Sequence, residues 1–178
     1  MRIIGGHIKG LRLSPPTNLP VRPTTDLAKE ALFNILENRI VWSETDALDL
    51  FSGTGNISIE LASRGVKSLV SVDIHSKCCG YINNLKGKYQ LEQLKIIKAD
   101  ALKFIVNCKQ SFDFIFADPP YDLPQLPLLP KMIFDHKLLK SNGLFILEHP
   151  TTRKVDQHPY FVEQRAYGYS SFSFFANL

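Results

Sequence analysis

The 178-residue chain predicts an α/β fold: a Rossmann-like, mostly parallel sheet with helices on both faces, an N-terminal β-hairpin extension and a C-terminal antiparallel hairpin. Three observations carry this expectation. Apolar runs of strand length alternate with helix-patterned segments across most of the chain, the mark of a parallel sheet covered by crossover helices. The first such run opens into the glycine turn "SGTG", which leads straight into a helical segment. The tail then abandons the alternation for two strand-like runs around Gly168.

Taken in order, "RIIGGHIKGLRL" (2–13) holds short β-like pieces interrupted by Gly5, Gly6 and Gly10, which predicts a hairpin. Pro15, Pro16, Pro20 and Pro23 punctuate an extended linker. "TTDLAKEALFNILENR" (24–39) predicts a helix, since Thr24 or Thr25 can cap it and Leu27, Ala31, Leu32, Ile35 and Leu36 recur at helical spacing. Strands are expected at 47–52, 68–74, 94–99, 112–117 and 143–149. Helices are expected near 56–64, 76–89, 100–108 and 124–140, the last starting among Pro124, Pro127 and Pro130. "YFVEQRAYGYSSFSFF" (160–175) closes one edge as a hairpin. The division is a basic hairpin and linker at 1–23 and one domain at 24–178.

At 44% hydrophobic and 21% charged residues, the chain matches an ordinary globular domain that can bury a full core without a metal or disulfide staple. The "MRII" start lacks the apolar core of a signal peptide and no run reaches membrane-span length, so a soluble cytoplasmic protein is expected. Cys78, Cys79 and Cys108 fit apolar filling in a reducing compartment, and the five histidines lack ligand spacing, so no metal is assigned. Residues 1–25 carry Arg2, Lys9, Arg12 and Arg22 and no acid, which accounts for the whole +4 net charge. Such an arm serves either as an ordinary solvated surface or as a holder of polyanion.

The first strand ends in "DLFSGTGNISIE", Asp49 to Glu60. Gly53 and Gly55 meet the first two positions of a dinucleotide fingerprint, whereas Ser58 holds the third. Asp73 lies 20 residues beyond Gly53, at the tip of the next strand, where an acid can bind ribose hydroxyls or cap the following helix. Asp100 ends the third strand in "KADA" and either caps a helix or faces a base. These features leave two cofactor classes, a nicotinamide dinucleotide or S-adenosylmethionine.

The fourth strand separates them. Its tip, Asp118-Pro119-Pro120-Tyr121, joins a carboxylate and a stiff elbow without N–H groups to a flat aromatic face. Acceptors beside a stacking surface suit an aromatic amine, and hydride transfer needs no such set. Asp118 and the Pro119 carbonyl would take both amine hydrogens and free the nitrogen lone pair for in-line attack, with positioning as the main catalytic contribution.

Residues 115–121 resemble the [DN]-P-P-[FYW] motif of amino-group methyltransferases. "RIIGGHIKGLRL", "RPTTDLAKEALFNIL", "DLFSGTGNISIE", "FADPPY" and the closing "RAYGYSSFSFF" are similar, in order and spacing, to the bacterial small-subunit (16S) ribosomal RNA guanine-N2 methyltransferases of the D type. The resemblance implies a class I methyltransferase domain at 24–178, S-adenosylmethionine as cofactor and 16S ribosomal RNA, free or within the small subunit, as partner of a monomeric enzyme. It implies that Asp49, Phe51, Gly53 and Gly55 line the cofactor cleft, that Asp73 holds the ribose and that Asp100 and Ala101 meet the adenine. Asp118, which also borders the cofactor, would act with Pro119, Pro120 and Tyr121 on the target base, and Arg2, Lys9, Arg12 and Arg22 would contact RNA phosphates, while residues 22–26 would border the active site or serve only as a capped helix entry. Two departures stand out: Asn56 replaces a small residue, and "PTTRKVDQHPY" is short for a helix.

Rival readings are a DNA adenine-N6 or cytosine-N4 methyltransferase, which 178 residues leave little room to equip with a recognition domain, and a non-catalytic RNA-binding protein on the same fold. A nucleotide-binding oxidoreductase is disfavoured by "DPPY" and Ser58.

Overall fold

The computed structural model describes residues 1–22 and 24–177, so Pro23 of the linker and Leu178 lie outside the described residues. Among the described residues, seven strands form one sheet: β1 (Asp46–Leu50), β2 (Ser68–Asp73), β3 (Leu94–Lys98), β4 (Phe112–Ala117), β5 (Leu139–Pro150), β6 (Phe161–Tyr167) and β7 (Ser170–Ala176). Their spatial order is β3-β2-β1-β4-β5-β7-β6. The first five run parallel, and β7 inserts antiparallel between β5 and β6. Strand order therefore reverses between β1 and β4, and the chain leaves a crevice at their carboxyl ends.

Helices α1 (Asp26–Leu36), α2 (Asn56–Ser63), α3 (Ser76–Tyr89), α4 (Ala101–Asn107) and α5 (Leu129–Asp135) cover the two faces. Leu32, Phe33 and Leu36 of α1, Ile57, Ile59 and Leu61 of α2, and Ile82 and Leu85 of α3 share a core with Ala47, Leu69, Phe114, Phe116 and Ile146. Ile105 of α4 and Leu129 and Ile133 of α5 pack with Leu48, Val70, Ile115 and Leu147 on the other face. Because strand side chains alternate, Asp49, Asp73, Asp118 and Glu148 fall on the same face as Ala47, Ser71, Phe116 and Ile146, two residues further on. Asp73, Asp118 and Glu148 thus emerge together at one end, and Asp49, opposite Ser71 and Phe116, lies two residues below them.

Helix α1 begins where expected, with the Thr25 hydroxyl accepting from the Ala28 N–H at 3.2 Å, a cap of about 1 kcal/mol. The expected hairpin at 2–13 is present in minimal form, as one antiparallel bridge between Arg2 and Arg12 flanked by Ile3 N–H to Leu11 C=O and Leu13 N–H to Met1 C=O. Gly6 explains the glycine pair: at φ 81° it lies so near Ser63 that a Cβ would sit 1.9 Å from that carbonyl oxygen.

Two boundaries differ from expectation. The helix expected at 124–140 is a 3₁₀ turn (Leu126–Leu128) followed by the seven-residue α5. Three prolines cannot donate to a helical ladder, and Lys137 at φ 55° ends the segment. Strand β5 starts at Leu139 instead of 143, because Leu139 pairs with Phe112 across a register shift that accommodates Asn142 at φ 62°. The short segment after β5 forms turns only.

A buried ionic cluster fastens the N-terminal segment. Lys29 Nζ, fully buried, lies 3.2 Å from Glu60 Oε2 and donates to Asn56 Oδ1 at 2.8 Å and to the Arg2 carbonyl. Burial lowers the Lys29 pKa, and Glu60 opposes that shift. The Glu60 carboxylate also accepts from the N–H groups of Ile4 and Gly5 and from Arg64 Nε, at 2.8–2.9 Å. Asn56, one of the two departures, is a member of this cluster.

Candidate active site

The crevice holds a cavity of about 400 Å³ bordered by β1, β2, β4 and the segment before α1. Of the residues expected at the cofactor, Asp49, Phe51, Gly53, Asp73, Asp100 and Ala101 line it, as do Asp118, Pro119, Pro120 and Tyr121. Gly55 does not line it; at φ 78° it leaves the room that Ile82 fills, where a Cβ would come within 2.8 Å of Cγ1. Its glycine is explained by helix packing.

The turn after β1 is strained at the cavity wall. Phe51 takes φ 58°, an uncommon conformation for an aromatic residue that costs about 1–3 kcal/mol. The Gly53 N–H donates to Asp73 Oδ2 at 2.9 Å, and the His75 N–H to Asp73 Oδ1 at 2.9 Å. Asp73 is thereby held across the turn, but it does not cap α3, whose N-cap is His75 without a side-chain cap bond. Asp100 caps α4 by accepting from the Lys103 N–H at 3.0 Å while lining the cavity, so for this acid the two readings coexist geometrically. The Ser52 hydroxyl, buried in the cavity wall, has no partner among the described residues and is available to a polar ligand.

Asp49 is buried and bound by the Ser58 hydroxyl at 2.5 Å, and Ser71 joins Ser58 at 2.9 Å. Ser58 therefore replaces the third fingerprint glycine with a hydrogen-bond donor for Asp49. Burial pushes the Asp49 carboxyl up to about 7, Ser58 counters this, and Asp73 adds to it.

At the far end, Asp118 follows the last paired residue of β4, and its N–H reaches back to Leu50 C=O at 3.3 Å. Arg153 fixes the following loop by donating to the Tyr121 and Leu123 carbonyls, each at 3.1 Å. Beside Asp118 lies Glu148 of β5, 2% exposed, one residue beyond the Ala117–Leu147 pair. Arg22 sits between them. Its Nη2 is 2.9 Å from Asp118 Oδ1 and 3.5 Å from Glu148 Oε1, and its guanidinium carbon lies 3.4 Å above the Tyr121 ring centroid. The Thr24 hydroxyl donates to Glu148 Oε2 at 3.3 Å. Burial and the neighbouring Glu148 charge push the Asp118 pKa well up, against Arg22; burial raises Glu148, against Arg22 and Thr24.

The basic residues separate accordingly. Arg22 turns into the cleft, and Arg2 pairs with Glu30 at 3.1 Å. Lys9 and Arg12 are exposed and form no ion pair among the described residues. Sequence reasoning missed Glu148 and read Ser58 only as a departure from the fingerprint; an acid ending the apolar run "LFIL" was the available signal for Glu148.

A sheet of this order with an acid-tipped cleft at its reversal point defines a class I methyltransferase fold. The family model described as Conserved hypothetical protein 95 matches residues 1–176, and the chain belongs to that family. Among curated relatives, the ribosomal RNA small subunit methyltransferase D of Buchnera aphidicola is 29% identical over 152 residues, covering 85% of this chain and 77% of its own. The solved structure of Escherichia coli yhhF superposes with TM-score 0.86 at 23% identity, over 99% of this chain and 97% of that one. SMU.776, solved in complex with SAH, shares the fold at TM-score 0.67 and 16% identity over 85% of this chain and 50% of that one.

Proposed function

We propose that this protein transfers a methyl group from S-adenosylmethionine to the exocyclic N2 amine of a guanine in 16S ribosomal RNA. The coarser statement, methylation of ribosomal RNA with S-adenosylmethionine, follows from its family and relatives. One observation supports the finer reading most: the Asp118 carboxylate and the Tyr121 face stand together at the end of the same cavity that Asp73 and Gly53 border.

The residues present fit the cofactor. Ser52 offers a free hydroxyl, and Asp73, held by the Gly53 and His75 N–H groups at the cavity wall, would offer its remaining lone pairs to ribose hydroxyls. When bound, S-adenosylmethionine supplies an electrophilic methyl on a sulfonium. Asp100 and Ala101, which line the cavity, would meet the adenine, and Asp49 and Phe51 would line the rest of the cofactor cleft.

Tyr121 stacks the target base, and Asp118 with the Pro119 carbonyl accepts the two amine hydrogens. That arrangement favours a tetrahedral nitrogen whose lone pair points at the methyl. The Asp118 carboxylate favours a positive centre nearby, and Asp118 or water takes the surplus proton after transfer. The base leaves its stack to enter the cleft. Lys9 and Arg12 lie on the exposed arm as phosphate contacts.

Mass mapping of nucleosides in 16S ribosomal RNA from cells with and without the gene tests this directly. One N2-methylguanosine should vanish with the gene and return with the wild-type copy but not with Asp118→Ala. Methylation of adenine or cytosine instead would reject the guanine assignment.

A further inference from the structure

The site contains a buried carboxylate that the transfer step above does not use. Glu148 is 2% exposed, adjoins Asp118 and is aimed at the same point above the Tyr121 ring. Thr24 holds one of its oxygens at 3.3 Å, leaving the other to face the slot. The group now in that slot is the Arg22 guanidinium, stacked on an aromatic ring with its one nitrogen Nη2 shared by the two carboxylates. The N1–C2–N2 edge of guanine is likewise planar and carries only donors, one ring N–H beside an exocyclic NH₂, so two nitrogens can serve the two acids that Nη2 now serves alone. Adenine and cytosine place a ring lone pair beside their amines, and that lone pair would meet a carboxylate oxygen.

We propose that Glu148 is a specificity-determining residue that accepts the N1–H of the target guanine while Asp118 accepts from N2, in the slot that the Arg22 guanidinium occupies in the free protein. This rests on guanine N2 being the methyl acceptor. A buried acceptor-only group rejects bases lacking the matching donor, because the mismatch leaves two lone pairs opposed and desolvated. The arrangement separates guanine from the other amine-bearing bases without any contact to the rest of the ring.

The test uses RNA substrates carrying either guanine or 2-aminopurine at the position that the wild-type enzyme methylates. 2-Aminopurine keeps the N2 amine and has a lone pair at N1. Wild-type enzyme should prefer guanine by roughly 100-fold or more in kcat/KM. Glu148→Gln can turn its amide N–H toward that lone pair, so it should lose guanine activity and narrow the preference to within about 10-fold, with S-adenosylmethionine affinity retained. A Gln variant that binds cofactor and keeps the wild-type preference would overturn the proposal. So would wild-type enzyme that uses both bases equally, a result that needs no variant. If the wild-type product is not N2-methylguanosine, the mass of the methylated nucleoside shows it, and the failure belongs to the reaction assignment rather than to Glu148.

Discussion

Two buried ionic clusters tie the N-terminal segment to the domain, and they differ in how completely they are satisfied. At Glu60 one carboxylate receives four donors: the Ile4 and Gly5 N–H groups, Arg64 and Lys29. At the cleft, Asp118 and Glu148 share the single guanidinium of Arg22. The first cluster is neutralised and saturated, which suits a permanent fastening. The second has an excess of negative charge and a cation that is 41% exposed, which suits a place where another donor group enters. Burial of charge alone therefore does not mark a site. An unbalanced set of buried charges next to a cavity does.

The sharpest way to break this comparison is to remove one charged partner from each cluster. Asp118→Ala should lower methyl transfer by roughly 100- to 1,000-fold or more, while cofactor affinity and unfolding midpoint stay unchanged or the midpoint rises, since Glu148 then pairs one to one with Arg22. Methylation assays and urea titration on the same preparation would check both halves. Lys29→Met should do the reverse in stability: it leaves the fully buried Glu60 with Arg64 as its remaining cationic partner, takes the donor from the Arg2 carbonyl and Asn56 Oδ1, and should cost about 3–5 kcal/mol. Equal stability losses in the two variants would erase the distinction between fastening and site.

Much of this was legible in the sequence, and the reasons are local. Strand positions follow from apolar runs, and Asp73 follows from a fixed offset to Gly53, because one crossover helix spans a nearly constant length. The "DPPY" tip needs only its own four residues to be read. What stayed hidden depends on neighbours distant in the chain. Arg22 lies 96 residues before Asp118, and although the family resemblance sets residues 22–26 at the border of the active site, nothing near Arg22 separates a cleft plug from an arm charge. Glu148 becomes conspicuous only when register sets it beside Asp118. The early start of β5 was hidden by "KSNG", which reads as a turn, although Asn142 accommodates a left-handed conformation inside the strand. Gly55 matched a ligand motif for a reason of packing against Ile82.

Asp49 sharpens the comparison through pH. Its carboxyl is raised from the ordinary 3.8 to about 7, chiefly by burial. Between those values the folded protein binds a proton that the unfolded chain has released, so its contribution to stability falls as pH rises through that window. The difference can amount to about 4 kcal/mol at the upper end, an upper bound for one group. Asp49→Asn should therefore flatten the decline in unfolding free energy between about pH 4 and pH 7. An unchanged slope in denaturant titrations across that range would show that Asp49 stays ionised in the folded state.

The smallest expected effect concerns the arm. Removing residues 1–13 would be an uninformative test, because Ile3 and Leu13 are buried in the core and Ile4 and Gly5 donate to Glu60. Reversing the exposed charges alone, Lys9→Glu with Arg12→Glu, leaves those interactions in place. Stability should change by less than about 0.5 kcal/mol. RNA affinity should fall, and the slope of log affinity against log salt should shrink by about 1 for each phosphate that the arm no longer neutralises. If affinity and slope both stay at their wild-type values, the arm is a fastening like the Glu60 cluster, and RNA is gripped elsewhere on the rim of the cleft.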